Sequence, residues 1–175
     1  MTVPTINMVT TTATTSAPIS WTTTASGSWG YNTEITTSSK LDFGVLNIDS
    51  NAWSAVKPIW AYVSNMQSGN TSIANMGFYC DGLLTSGMVH YDYITPTWVN
   101  PSDTGNVQQS GSSASSITAG AKHTVLESDD SATLEASGDH TQYIYVQYSV
   151  ASNVATGQKT TAAATGRPTF AFTYS

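Results

Sequence analysis

Three histidines stand close in sequence to acidic residues, an arrangement that can serve acid–base chemistry. The pairs are His90 with Asp92, His123 with Glu127, and His140 with Asp139. On an extended strand His90 and Asp92 would share one face, which would place a base beside a carboxylate that orients it. The chain has no glycine-flanked serine of the nucleophile-elbow type. Solvated or hydrogen-bonded histidines are therefore favoured over a catalytic triad.

An acidic turn at Glu127, Asp129 and Asp130 is the best candidate for a metal site. Calcium is bound by several carboxylate or carbonyl oxygens on a flexible loop. The spacing does not match an EF-hand, so a plain acidic turn is favoured over a calcium site. No pair of carboxylates can be assigned to glycoside hydrolysis, because sequence does not give their separation in space. We expect neither a cofactor nor a metal.

Tryptophans are the remaining residues with a chemical use, because aromatic rings stack on sugars and fill protein interfaces. They are Trp21, Trp29, Trp53, Trp60 and Trp98. Trp60 alternates with Ile59 and Ala61, which predicts that it points outward as an interface or ligand residue. Ordinary packing in the core is favoured over these roles for each of the five.

The composition excludes several classes of partner. Charged residues make up 9% of the 175 residues, against roughly 25% in typical soluble domains. The net charge is -6, and the five basic residues are scattered rather than clustered. Nucleic acid and anionic membrane surfaces are therefore disfavoured as partners. A neutral, hydroxyl-rich surface instead suits contact with protein or glycan, because hydroxyls lose water at lower cost than charges do.

The sequence shows no export signal. Met1 to Ser20 has neither the basic region nor the apolar region of a signal peptide, and no apolar run is long enough to span a bilayer. The single cysteine, Cys80, excludes an intrachain disulfide and is expected to be a buried, inert thiol. A particle assembled inside a cell and released by lysis would fit these observations, as would a mature chain whose leader has been removed.

Residues 1–28 are rich in threonine and are predicted to form an extended arm. Threonine favours extended backbone, and Pro4 and Pro18 disfavour helix nearby. The arm, from Met1 to about Ser20, is expected to order on assembly by adding to the sheet edge of a neighbour. The alternatives are a disordered leader and a first edge strand of the domain. The predicted interface residues are Val3, Ile6, Val9, Ile19, Trp21, Trp60 and Tyr62.

The rest of the chain, residues 29–175, is predicted to be one all-β domain. Its longest strand-forming run, Thr141 to Val150, alternates an apolar face with a semi-polar face. Further strands are predicted at Lys40–Leu46, Lys57–Asn65, Ile73–Cys80, Met88–Ile94 and Pro168–Tyr174. The polar segment 100–120 is predicted to be a loop, after which ordered structure is expected to resume at His123–Leu126. Short strands between turns favour an antiparallel β-sandwich, with a jelly roll as the nearest alternative.

Several short motifs resemble immunoglobulin-type sandwich domains. They are Leu41-Asp42-Phe43-Gly44, Lys57-Pro58-Ile59, Tyr145 to Val150, Ala155-Thr156-Gly157 and Phe170-Ala171-Phe172. Domains of this kind, rich in threonine and serine, are similar to decoration (cement) and other structural proteins of tailed bacteriophage virions. The chain differs from the pattern at Ala151-Ser152, where a proline is expected, and in its long final connection.

The resemblance implies a non-enzymatic virion protein that binds and stabilises a capsid lattice. Its expected partner is the major capsid protein or another virion protein, and a homo-oligomer is expected, with a trimer favoured. It would be assembled in the host cytoplasm and exposed on the particle surface. The alternatives are a carbohydrate-binding β-sandwich module or an adhesion component of a phage tail or fibre; a hydrolase is the least favoured.

Overall fold

The computed structural model describes residues 2–11, 28–29, 32–35, 41, 43, 52–81, 88–99, 112–113, 122–152 and 167–175. Within these ranges the protein is all β, and no helix long and apolar enough to cross a membrane occurs there. The strands are β1 (Thr5–Thr11), β2 (Ser28–Trp29), β3 (Asn32–Glu34), β4 (Ala52–Trp53), β5 (Lys57–Asn65), β6 (Ile73–Asp81), β7 (Met88–Thr95), β8 (Ser112–Ser113), β9 (His123–Thr124), β10 (Tyr143–Val150) and β11 (Arg167–Tyr174).

The strands form two antiparallel sheets. The larger sheet has the order β2-β3-β1-β5-β10-β7-β8, and β4 pairs with β10 beyond the start of β5. The smaller sheet has the order β11-β6-β9. Every pairing between described strands is antiparallel. The predicted antiparallel β-sandwich is thereby confirmed.

The main hydrophobic core lies between the two sheets. The inner face of the larger sheet contributes Ile59, Val63, Ile144 and Val146, and the smaller sheet contributes Ile73, Met76 and Phe78. Leu41 and Phe43 belong to none of the described strands, yet both pack against this core, as do Phe170 and Phe172 of β11. Burial of these side chains is the main force that holds the sheets together.

Strand β10 is the centre of the fold. It pairs with β5 and β4 along one side and with β7 along the other. The predicted alternation is present, but the face predicted to be semi-polar is also buried. Tyr143 and Tyr145 on that outer face pack in a second cluster with Val9, Trp60 and Tyr62. The tyrosine rings give the outer face of β10 a large apolar surface. The strand is thus buried on both faces.

The N-terminal segment differs from the predicted arm over residues 5–11. Strand β1 lies inside the larger sheet, where it pairs with β5 along Thr5–Thr10 and with β3 along Val9–Thr11. This placement is nearest to the alternative of a first strand of the domain, but β1 is paired on both sides and is therefore an inner strand and not the predicted edge strand. Val9 is fully buried there, opposite Trp60. Residues 12–27 of the predicted arm lie outside the described residues.

Candidate functional site

The histidine and aspartate that meet in the structure come from different sheets. Asp92 of β7 is paired with Val146 and so faces the smaller sheet, where His123 of β9 is paired with Phe78. The Nδ1 atom of His123 lies 2.8 Å from Oδ2 of Asp92. The Asp92 side chain is fully buried, and the His123 side chain is 29% exposed.

The electrostatics of this pair are dominated by burial. Removal from water raises the pKa of Asp92, while the hydrogen bond and the charge of His123 act in the opposite direction. The other carboxylate oxygen, Oδ1, is buried and has no hydrogen-bond partner among the described residues. The geometry orients the His123 ring, but within the described part of the chain no hydroxyl or thiol is hydrogen-bonded to that ring. The pair therefore acts as a link between the sheets.

Among the described residues, the structure pairs His123 with Asp92 of another strand, a pairing that the sequence spacing does not suggest. The side chain of His90 lies outside the described residues. Nδ1 of His140 lies 2.9 Å from the carbonyl oxygen of Thr141, and burial lowers the pKa of His140. His123 and His140 are thus both hydrogen-bonded, as the favoured alternative predicted.

The carboxylates of the acidic turn are occupied by hydrogen bonds within the loop. Asp129 Oδ1 accepts from the backbone N–H of Ser131, and Asp130 Oδ1 accepts from Nε2 of Gln142. Burial and the nearby carboxylates raise the pKa of Glu127. Within the described ranges no group of three His, Cys, Asp or Glu side chains could hold a metal ion. The turn is held by these hydrogen bonds.

Trp60 lies on the outer face of its sheet, as its alternation predicts, but it is not exposed there. It is fully buried and packs against Tyr143 in an edge-on contact, with ring centroids 5.6 Å apart. On this face the indole packs in one cluster with Tyr62, Tyr143 and Tyr145. The segment after β7 packs against the same cluster, where the Trp98 ring contacts Tyr143 edge-on and the backbone N–H of Val99 donates to the Tyr145 hydroxyl. Trp53, by contrast, is 38% exposed. Trp21 and the Trp29 side chain lie outside the described residues.

The residues predicted to form an interface are divided between the surface and the interior. Val3 is 56% exposed, whereas Ile6 is half-buried and packs against the core between the sheets. Val9, Trp60 and Tyr62 are interior residues of the folded chain and belong to the outer-face cluster. These three side chains stabilise the chain itself, and Val3 is the most exposed of the predicted residues that the structure describes. Ile19 and Trp21 are not within the described ranges.

Three segments that are distant in sequence meet at one end of the sandwich. The Asn70 side chain, in the turn between β5 and β6, donates through Nδ2 to the carbonyl oxygens of Thr2 and Met66. The backbone N–H of Thr71 donates to the carbonyl oxygen of Ser175, and Ser175 donates back to Ser72. We call this surface, formed by residues 2–5, 65–72 and 173–175, the neutral pole.

The neutral pole combines exposed apolar side chains with an absence of charged side chains. None of its residues is Asp, Glu, Lys, Arg or His. Among the described residues the exposed large hydrophobic side chains are Val3, Trp53 and Tyr174, and two of these three lie at the pole. Glu135 and Asp139 lie in a neighbouring loop, whose Ser137 Oγ accepts a hydrogen bond from the backbone N–H of Met66. The surface thus has a neutral centre beside an acidic loop.

No family model, no curated protein and no solved structure matches this chain.

Sequence reasoning identified Val3 but not the neutral pole as a surface. The signal available in the sequence is the absence of charge from residues 65–72 and 173–175, together with the charge-free N-terminal segment. Sequence alone does not say that these segments are neighbours. That follows only from the pairing of β1 with β5 and of β6 with β11.

Proposed function

We propose that this chain is a non-enzymatic structural protein that adds to an ordered protein lattice, of the capsid decoration type. The neutral pole is the observation that carries the proposal. Copies of the chain would meet at this surface to form a closed oligomer, with a trimer favoured, and the oligomer would bind the major capsid protein or another virion protein.

The physical argument rests on what protein interfaces bury. The cores of interfaces are depleted of charged residues and enriched in aromatic ones, and their rims are polar. Tyr174, 36% exposed, and Val3, 56% exposed, offer apolar anchors in a surface whose other groups are hydroxyls and amides. Such groups can be desolvated without separating a charge from water. The acidic residues of the neighbouring loop would remain in the solvated rim.

Composition supports the same class of function. Only 9% of the residues are charged, so little of the surface is protected from association by charge repulsion. Contacts formed only in the assembled state would stabilise both the chain and the lattice. Since Thr5–Thr11 is a strand of the chain's own sheet, the element offered to partners in this proposal is the pole and not a free arm over those residues.

The test is the solution mass of the purified chain, measured by light scattering after gel filtration. A closed trimer of 18.5 kDa chains, about 55 kDa, is the expected result. Val3→Asp and Tyr174→Asp each place a charge in the pole and are expected to yield monomers. Trp53→Asp, at a residue of similar exposure outside the pole, is the matched control and should leave the oligomer intact.

Lattice binding is tested by sedimenting the oligomer with expanded, undecorated shells of a tailed-phage major capsid protein. Saturable co-sedimentation that the two pole variants lose would support the proposal. A monomeric wild-type chain that does not bind shells would contradict it.

A further inference from the structure

The outer face of the larger sheet carries a pair of accessible aromatic rings. Trp53 of β4 and Tyr91 of β7 lie with ring centroids 5.2 Å apart and with their planes inclined by 50°. Strands β4 and β7 flank β10, so the rings meet over that strand. Trp53 is 38% exposed and Tyr91 is partly exposed. One side of this ring pair is therefore open to a ligand.

A buried amide with a free acceptor lies at the same place. Gln147 of β10 is paired with Tyr91, and its Nε2 donates to the carbonyl oxygen of Ser54, the residue after Trp53. The side chain is only 4% exposed, and its Oε1 atom is buried without a hydrogen-bond partner among the described residues. A buried acceptor left unpaired destabilises the site until a donor reaches it.

The surroundings of the ring pair select for a ligand without charge. The hydrophobic cluster on this face consists of valine, tyrosine and tryptophan side chains. An anionic or cationic ligand would find no opposite charge in that cluster and would lose its hydration. A ligand that presents C–H groups on one face and hydroxyl donors at its rim fits both the rings and the amide.

We infer that Trp53, Tyr91 and Gln147 form a binding site for a neutral pyranose sugar. The C–H face of the sugar stacks on the exposed indole of Trp53. A small displacement of the ring pair admits a sugar hydroxyl that donates to Oε1 of Gln147. Since β5 runs from the β4 side of the sheet towards the turn of the neutral pole, this site lies at the other end of the sheet and is separate from the surface proposed for assembly.

The experiment is an array of neutral oligosaccharides built from hexoses and N-acetylhexosamines, followed by calorimetric titration of the best binder into the full chain. We expect binding that Trp53→Ala weakens by about tenfold or more and that Trp53→Phe, which keeps a ring, weakens much less. Tyr79→Ala is the matched control, because Tyr79 is a partly exposed aromatic residue on β6 of the smaller sheet and lies outside both the ring pair and the neutral pole. It should bind sugar as the wild-type chain does.

Three results would overturn the inference. They are the absence of binding to any sugar on the array, equal binding by Trp53→Ala and the wild-type chain, and binding restricted to charged glycans. Circular dichroism of each variant confirms that the fold is retained. Failure here leaves the proposed assembly function standing, because that function is measured by oligomer mass and shell binding in variants of the pole.

Discussion

His123 and Asp92 join the two sheets of the sandwich through one hydrogen bond of 2.8 Å. The two residues lie 31 positions apart in the chain, and each stands on a strand of a different sheet. The carboxylate is fully buried while the imidazole reaches solvent at its outer side. A polar link of this kind inside an apolar core costs desolvation, and its effect on stability therefore depends on protonation.

Acid should stabilise the wild-type chain relative to the Asp92→Asn variant. Burial raises the pKa of Asp92 in the folded protein above its ordinary value of 3.8. The protonated carboxyl is thus favoured by folding, so its contribution is fully present below the unfolded value and is lost as pH rises through the folded pKa. The amide introduced by Asp92→Asn carries no charge at any pH. The free energy of unfolding of the variant therefore does not fall over the pH range in which Asp92 of the wild-type chain loses its proton. Urea unfolding of both chains across the acidic range measures the difference, and parallel stability curves would contradict the prediction.

His123→Ala should destabilise the chain by about 2 kcal/mol at neutral pH, because it removes the side-chain partner of a buried carboxylate. The same substitution in the Asp92→Asn background should cost less, since an unpaired amide is less costly to bury than an unpaired charge. A double-mutant cycle by denaturant unfolding gives the coupling. Equal costs in both backgrounds would mean that the two side chains do not interact.

Gly77→Ala should destabilise the chain by about 1 kcal/mol through overpacking. A Cβ at Gly77 would lie 2.5 Å from Cδ of Lys122, whose stem crosses the glycine while its Nζ donates to the carbonyl oxygen of Asn75. Lys122→Ala removes the obstructing stem and should restore most of the loss. Thermal unfolding of the single and double variants provides the measurement. If the double variant is as unstable as Gly77→Ala, the clash is not the cause.

Removal of residues 2–11 should abolish cooperative folding. Strand β1 is paired on both sides, and Val9 is fully buried against the outer face of β5. Its loss would expose two strand edges and a large apolar surface. Circular dichroism during heating checks the result. A truncated chain that melts at the wild-type temperature would restore the interpretation of this segment as a dispensable arm.

The strands that could be predicted from the sequence are those in which the alternation of the strand's own residues is enough to indicate an extended conformation. Alternation placed β5, β7 and β10, and Pro58 stands near the start of β5, as expected of a residue that lacks a backbone donor. The predicted strands Lys57–Asn65 and Ile73–Cys80 are separated by a turn in the structure, where Gln67 and Gly69 adopt positive φ.

The features of the candidate sites that could not be predicted from the sequence are those that depend on which strands become neighbours. Val9 and Trp60 alternate like exposed residues, yet both are buried in a cluster with aromatic residues that lie far away in the sequence. The Asp92–His123 link, the neutral pole and the Trp53–Tyr91 pair each join residues brought together by long-range pairing. The local periodicity of a sequence does not say which strands become neighbours. That information comes only from the pairing and register of the strands in the sheets.

The central position of β10 has a consequence for how the chain is made. Ile144 of β10 pairs with Ile59 of β5, and Thr169 of β11 pairs with Tyr79 of β6. Both pairings join strands that are far apart in the sequence. Most of the chain must be synthesised before either sheet is complete. Until then the apolar side chains of β1 and β5 remain exposed to water. Folding dominated by such distant partners is slow. Synthesis rate and chaperone protection, rather than final stability alone, should therefore set the yield of the native protein in a cell.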